Sequence, residues 1–145
     1  MKPEVVRRLD ELFVSIPVLL GGGPVSSAEL DRAEEAVGMR FDPAYREFVE
    51  RYGGAMVGSI PIVGLRVAEV MGDEDVVTKV TAHFRRDGWP PTQDWVVISI
   101  DLGGNPIGLD AKGAVWISDH DAGEILQLAP TFEDFVVQLL DEGER

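Results

Sequence analysis

Residues 95–128 carry four short β-prone segments joined by turns rather than by helices, and this run limits the architecture more than any other feature of the chain. Residues 95–100 are strongly β-prone and are followed by the turn Gly103-Gly104-Asn105-Pro106. A short segment at 107–109 leads to a second turn at Lys112-Gly113. Segments 114–118 and 124–128 flank the longer loop Asp119-His120-Asp121-Ala122-Gly123. The pattern reads as a β-meander. Residues 56–65, interrupted by Gly58, Pro61 and Gly64, add one or two short strands with an edge or a bulge.

Helical periodicity lies outside that run. Val5, Leu9, Leu12 and Ile16 recur at three- and four-residue spacing behind Pro3, and Gly21-Gly22-Gly23-Pro24 stops the segment. Ser26 and Glu29 have capping-box spacing ahead of Leu30, Ala33 and Val37, with Gly38 as the C-cap. Asp42-Pro43 is an N-cap followed by a first-position proline, and its helix carries Tyr45, Phe48, Val49 and Tyr52 up to Gly53-Gly54. Asp73-Glu74-Asp75 reads as an acidic helix start ahead of the stripe Val76, Val77, Val80 and Phe84, closed by Gly88-Trp89-Pro90-Pro91. Thr131 and Asp134 open a last helix that buries Phe132, Phe135, Val136 and Leu139. Helices segregated from clustered strands predict an α+β fold, with a mainly antiparallel sheet of about five or six strands and helices mostly on one face. The 145 residues suit a single domain over 1–145, in which the N-terminal helix, 3–16, is the element expected at the periphery.

Charge narrows the function classes. Twenty-six acidic and 13 basic side chains give a net charge of -13, unevenly spread. Residues 1–86 hold 14 acidic and 11 basic side chains, whereas 87–145 hold 12 acidic and only Lys112 and Arg145 as basic. A field of that sign repels phosphate backbones and anionic lipid, so neither nucleic acid nor a membrane surface is expected as partner. It favours a basic protein by steering encounter. No stretch approaches the ~18–20 apolar residues of a membrane helix, and charges occupy the place of a signal peptide's apolar region, so a cytoplasmic location is expected. Without cysteine there is no disulfide framework, thiolate nucleophile or zinc–thiolate site.

Catalysis finds little support. His83 sits on a helix with no acid–base partner apparent from its neighbours. Asp119-His120-Asp121 could hold a divalent metal, or could form a polar turn whose carboxylates bond their own backbone. The calcium-loop pattern fails there, because Gly123 and Pro130 stand at ligand positions. Gly103 to Gly108 lacks the Lys-Ser/Thr of a phosphate loop. No enzyme activity and no cofactor or metal are expected.

The second face of the sheet offers more. Strict alternation puts Val96, Ile98 and Ile100 on one face, and Trp95, Val97, Ser99 and Asp101 on the other. It likewise separates Val115 and Ile117 from Ala114, Trp116 and Ser118. Trp95 and Trp116 are then either aromatic anchors on an acidic, open face or ordinary core beneath a helix or loop.

Four segments, in order, resemble a known family. Residues 41–54 resemble the "LPxxYxxFLxxxNGG" signature of the SUKH superfamily, and Ile62-Val63-Gly64-Leu65 is similar to the short strand after it. Residues 104–116 resemble its "GdxyxLDxxGxVy" hairpin, and Asp119-His120-Asp121 with residues 128–135 match its final loop, strand and helix. The resemblance spans about residues 26–140. It departs at Gly53, where the signature has Asn, and at Asn105-Pro106-Ile107-Gly108, where the usual aspartate and aromatic are replaced. The superfamily groups fungal regulators of cell-wall synthesis with bacterial immunity proteins that neutralise polymorphic or contact-delivered toxins. The resemblance therefore implies a non-enzymatic α+β domain that binds a protein partner through the sheet and its loops. It points to Trp95, Ser99, Asp101, Asp110, Trp116, Asp119 and Asp121 as partner-binding residues, and the acidic half makes a basic toxin, such as a nuclease, the expected partner. A housekeeping regulatory interaction module is the alternative. Ten arginines against three lysines, with one asparagine, suggest a GC-rich bacterial host.

Overall fold

The computed structural model describes residues 1–72, 75–89 and 91–144. Three helices come first: α1 (Pro3–Ser15), α2 (Ser27–Val37) and α3 (Pro43–Tyr52). A hairpin of β1 (Ala55–Val57) and β2 (Ile60–Ile62) follows, then α4 (Val77–Arg86). The meander is β3 (Val96–Ile100), β4 (Pro106–Leu109), β5 (Val115–Asp119) and β6 (Glu124–Ala129), and α5 (Phe132–Gly143) closes the chain. The expected α+β class is what the chain adopts.

Local chemistry sets the helix ends where the sequence placed them. Ser26 and Glu29 form a reciprocal capping box, and Gly38 takes the left-handed conformation at the C-cap. Asp42 accepts from the amides of Ala44 and Tyr45 ahead of Pro43. At the other end of α3, Gly53 has φ +78°, and its carbonyl accepts from Leu65 and Arg66. Here even a Cβ would lie 2.4 Å from the Gly23 carbonyl, so glycine is what fits this chain's packing. The acidic start expected at Asp73-Glu74 lies outside the described residues, as does Pro90; the helix begins at Val77 behind Val76.

The main core joins α1, α2, α3 and α5 to one face of the meander. Val5, Leu9 and Phe13 of α1 are buried in the same cluster as Ile98, Ile107, Leu109 and Val115. Rings meet edge to face in a file from Phe41 through Tyr45, Phe132, Phe48 and Tyr52 to Phe13, at centroid spacings of 5.0–5.7 Å. Each such pair contributes about 0.5–1.5 kcal/mol beyond its buried area. Tyr45 is fully buried, and its hydroxyl donates to the Val63 carbonyl at 2.6 Å. Burial pushes its pKa far up, which keeps it a neutral donor.

The six strands divide into two antiparallel sheets, β1-β2 and β3-β4-β5-β6. Pro61, in β2, has no N–H to extend a ladder towards β3. One backbone bond, Val63 N–H to the Ile98 carbonyl at 2.8 Å, and the Ser99 hydroxyl donating to the Pro61 carbonyl join the sheets instead.

A bulge in β3 overturns the strict alternation expected there. Register shifts between Val97 and Ser99, so Ser99 lies opposite Ile107 and Ile100 opposite Pro106. Ile100 consequently joins Val97, not Ile98, and both pack beneath Val80 and Phe84 of α4 together with Trp89. Thus α4 covers the second face at β3, while among the described residues no helix lies over that face of β5 and β6.

Candidate partner-binding face

The β-turns of the meander share one device. Aspartate stands at 101, 110 and 119, where β3, β4 and β5 end, and each carboxylate organises the turn after it. Asp101 Oδ1 accepts from the amides of Gly103 and Asn105 at 2.9 and 2.8 Å. Asp110 Oδ1 accepts from Lys112 and Ala114 at 2.8 and 3.0 Å. Asp119 Oδ1 accepts from Asp121 and Ala122 at 3.0 and 3.2 Å. These side chains bond their own backbone, as short polar residues in turns commonly do.

An up-and-down meander sends its turns to opposite ends, so the expected site residues separate. Asp101, Asp119 and Asp121 share one end; Asp110 lies at the other beside Trp116, whose indole N–H donates to Asp110 Oδ2 at 2.8 Å. Desolvation pushes the Asp110 carboxyl up, but hydrogen bonds from Trp116 and from the amides of Ala114, Lys112 and Gly113 outweigh it and hold the group below its ordinary value. Trp116 is half-buried on the second face, opposite Gly108 and Gln127.

Two of the expected site residues present no surface. Trp95 is 3% exposed and packs over Gly108 as core. Ser99 is fully buried because the bulge turns it towards Pro61.

Another tryptophan takes the surface position. Trp89 is half-buried between α4 and the β5–β6 loop. Its ring meets Phe84 at 5.4 Å and His120 at 5.5 Å, both edge to face, and Phe84 in turn meets His83. Asn105 fixes the loop from the other side: it is buried, its Oδ1 accepts from the His120 amide at 3.0 Å and faces His120 Nδ1, and its Nδ2 donates to Asp101. One side of Trp89 opens on a cleft of 380 Å³, walled by Asp87, Ser118, Asp119, His120, Glu124 and Ile125. On the other side a depression of 790 Å³ includes Lys79, His83, Arg86 and Ile100. The sequence marked Trp89 only as part of a helix-closing turn; its contact with His120 is tertiary and has no local signature.

Each histidine faces a carboxylate. His83 Nε2 faces Asp87 and His120 Nε2 faces Asp121, each at 3.2 Å. Among the described residues no group of three or more His, Cys, Asp or Glu is placed to hold a metal ion. Asp119-His120-Asp121 instead forms the polar turn, with Asp119 engaged by backbone amides. Among these residues, too, no helix is long and apolar enough to cross a membrane.

No curated protein matches the chain. The model of the SMI1/KNR4 family (SUKH-1) matches residues 24–138, from just ahead of the Ser26 capping box to the middle of α5, and the chain belongs to that family.

Proposed function

We propose that this chain is a non-enzymatic binding protein of the bacterial cytoplasm, an immunity protein that neutralises a cognate basic toxin, with the whole of 1–145 acting as one domain. The observation that carries this reading is the end of the sheet around Trp89, where the half-buried ring shares a cleft with Asp87, Asp119 and Glu124, and Asp121 stands beside His120. An aromatic anchor with acids along the cleft on one side suits a cationic partner: the ring supplies contact area and a cation–π surface, and the carboxylates steer encounter. A nuclease domain, with its own phosphate-binding cleft, has the complementary charge. Asp101 and Asp110 support the face by shaping its turns, and Trp116 extends it along β5.

Family membership also accommodates a regulatory interaction module without a toxin. Co-expression separates the two. The C-terminal domain encoded by the gene immediately upstream is expressed alone and together with this chain; toxicity relieved on co-expression supports immunity, and a well-folded domain whose effect on growth is unchanged supports the regulatory module.

A further inference from the structure

β6 is the outer strand of the four-stranded sheet, and among the described residues it pairs only with β5. Residues 124–127 are exposed throughout, with Ile125 at 48% and Leu126 at 46%. Only the far end is covered, where the Gln138 side-chain amide donates to the Leu128 carbonyl at 3.1 Å. Edge strands are ordinarily blunted by brevity, by lysine, by proline or by a bulge. β6 runs six residues without lysine or proline, its one charge is Glu124, and its bulge, at Leu128, lies beyond 124–127. It also adjoins the cleft beside Trp89, whose wall includes Glu124 and Ile125.

We propose that β6 is a strand-addition site for an extended, basic segment of a protein partner, an inference that rests on the acidic-face reading above. Backbone groups of the added strand would pair with the free edge of 124–127, and its side chains would alternate between the two faces. On one face they meet Leu126, which lies opposite Ile117; on the other they meet Ile125, opposite Ser118, and the mouth of the cleft. A lysine or arginine reaching that mouth lies near the Trp89 ring and the carboxylates of Asp119 and Glu124. Charge selects this occupant over a second copy of the chain, because β6-to-β6 pairing would join two molecules of net charge -13 at an edge already flanked by Asp119 and Asp121.

The probe is a capped octapeptide of alternating lysine and valine, titrated into the intact protein beside two controls: glutamate in place of each lysine, and proline at the centre. Amide hydrogen exchange is followed with each. The expected result is slowed exchange within 124–127 with the lysine peptide, and binding weaker by about tenfold or more for both controls, since one loses charge complementarity and the other ladder bonds. Leu126→Lys, at an exposed position, should weaken the lysine peptide while leaving the thermal midpoint within a few degrees. Equal binding by the proline peptide, or protection confined to 101–105 and 119–123, would overturn strand addition and leave the acidic face standing. Equal binding of the lysine and glutamate peptides would overturn the acidic face itself. Self-association through β6 in sedimentation would assign the edge to a second copy, and absence of binding at millimolar peptide would overturn the proposal.

Discussion

The Trp95 side chain occupies the space that a Cβ at Gly108 would need: its Cε3 and Cβ lie 2.7 and 2.8 Å from that position. Glycine on β4 is therefore the counterpart of a buried tryptophan at the start of β3, and together they close the second face where α4 ends. Gly108→Ala should lower stability by about 1–3 kcal/mol in urea denaturation, as overpacking does, without altering the association rate with a partner. A stable variant with slowed association would return Trp95 to the binding face.

The Trp116–Asp110 hydrogen bond gives acid stability a defined sign. The folded carboxyl titrates below its ordinary value, so its contribution is fully present above pH ~4 and is lost as pH falls through the folded pKa. Asp110→Asn should be less stable than the parent at pH 7, and the difference should shrink below pH ~4. Thermal midpoints between pH 2.5 and 7 check this, and parallel curves would remove Asp110 as the source.

Arg85 holds three segments together. Its guanidinium donates to the carbonyls of Val37 at the end of α2, Thr92 and Trp95. Desolvation pushes its pKa down. Arg85→Met should cost about 2–4 kcal/mol by stranding partly buried acceptors, and Arg85→Lys should recover little because an ammonium cannot reproduce the planar fork. Full recovery by lysine would show that charge alone matters.

Turn-forming and solvent-facing carboxylates should separate in mutagenesis. Asp101→Ala and Asp119→Ala should each cost about 1–2 kcal/mol of stability, comparable to losing a side-chain cap. The set Asp87→Asn, Asp121→Asn and Glu124→Gln should change stability by no more than about 0.5 kcal/mol each, yet slow association with a basic partner and flatten its salt dependence. Stopped-flow association at several salt concentrations, with denaturation curves for each variant, distinguishes the groups.

The elements were legible wherever the signal was local. Ser26/Glu29, Asp42-Pro43 and Gly38 act within one helical turn and appear where the sequence put them. The faces of β3 were not, because a bulge depends on the opposing strand and leaves Val97, Ile98 and Ser99 looking like any alternating run. The candidate site divided the same way. Its acidic character was visible in composition and the turn at Asp119 in local residue type, but the meeting of Trp89 with His120 is long-range and arises only when the meander is assembled.

In the proposed function, a basic protein docks on the acidic end of the sheet around Trp89. The most direct measurement titrates the C-terminal domain encoded by the gene immediately upstream with this protein and with the Trp89→Ala variant, at low and at physiological salt. The expected result is a stoichiometric complex whose association rate falls steeply with salt and whose dissociation rate rises in the variant. A complex indifferent to both salt and Trp89 would contradict it.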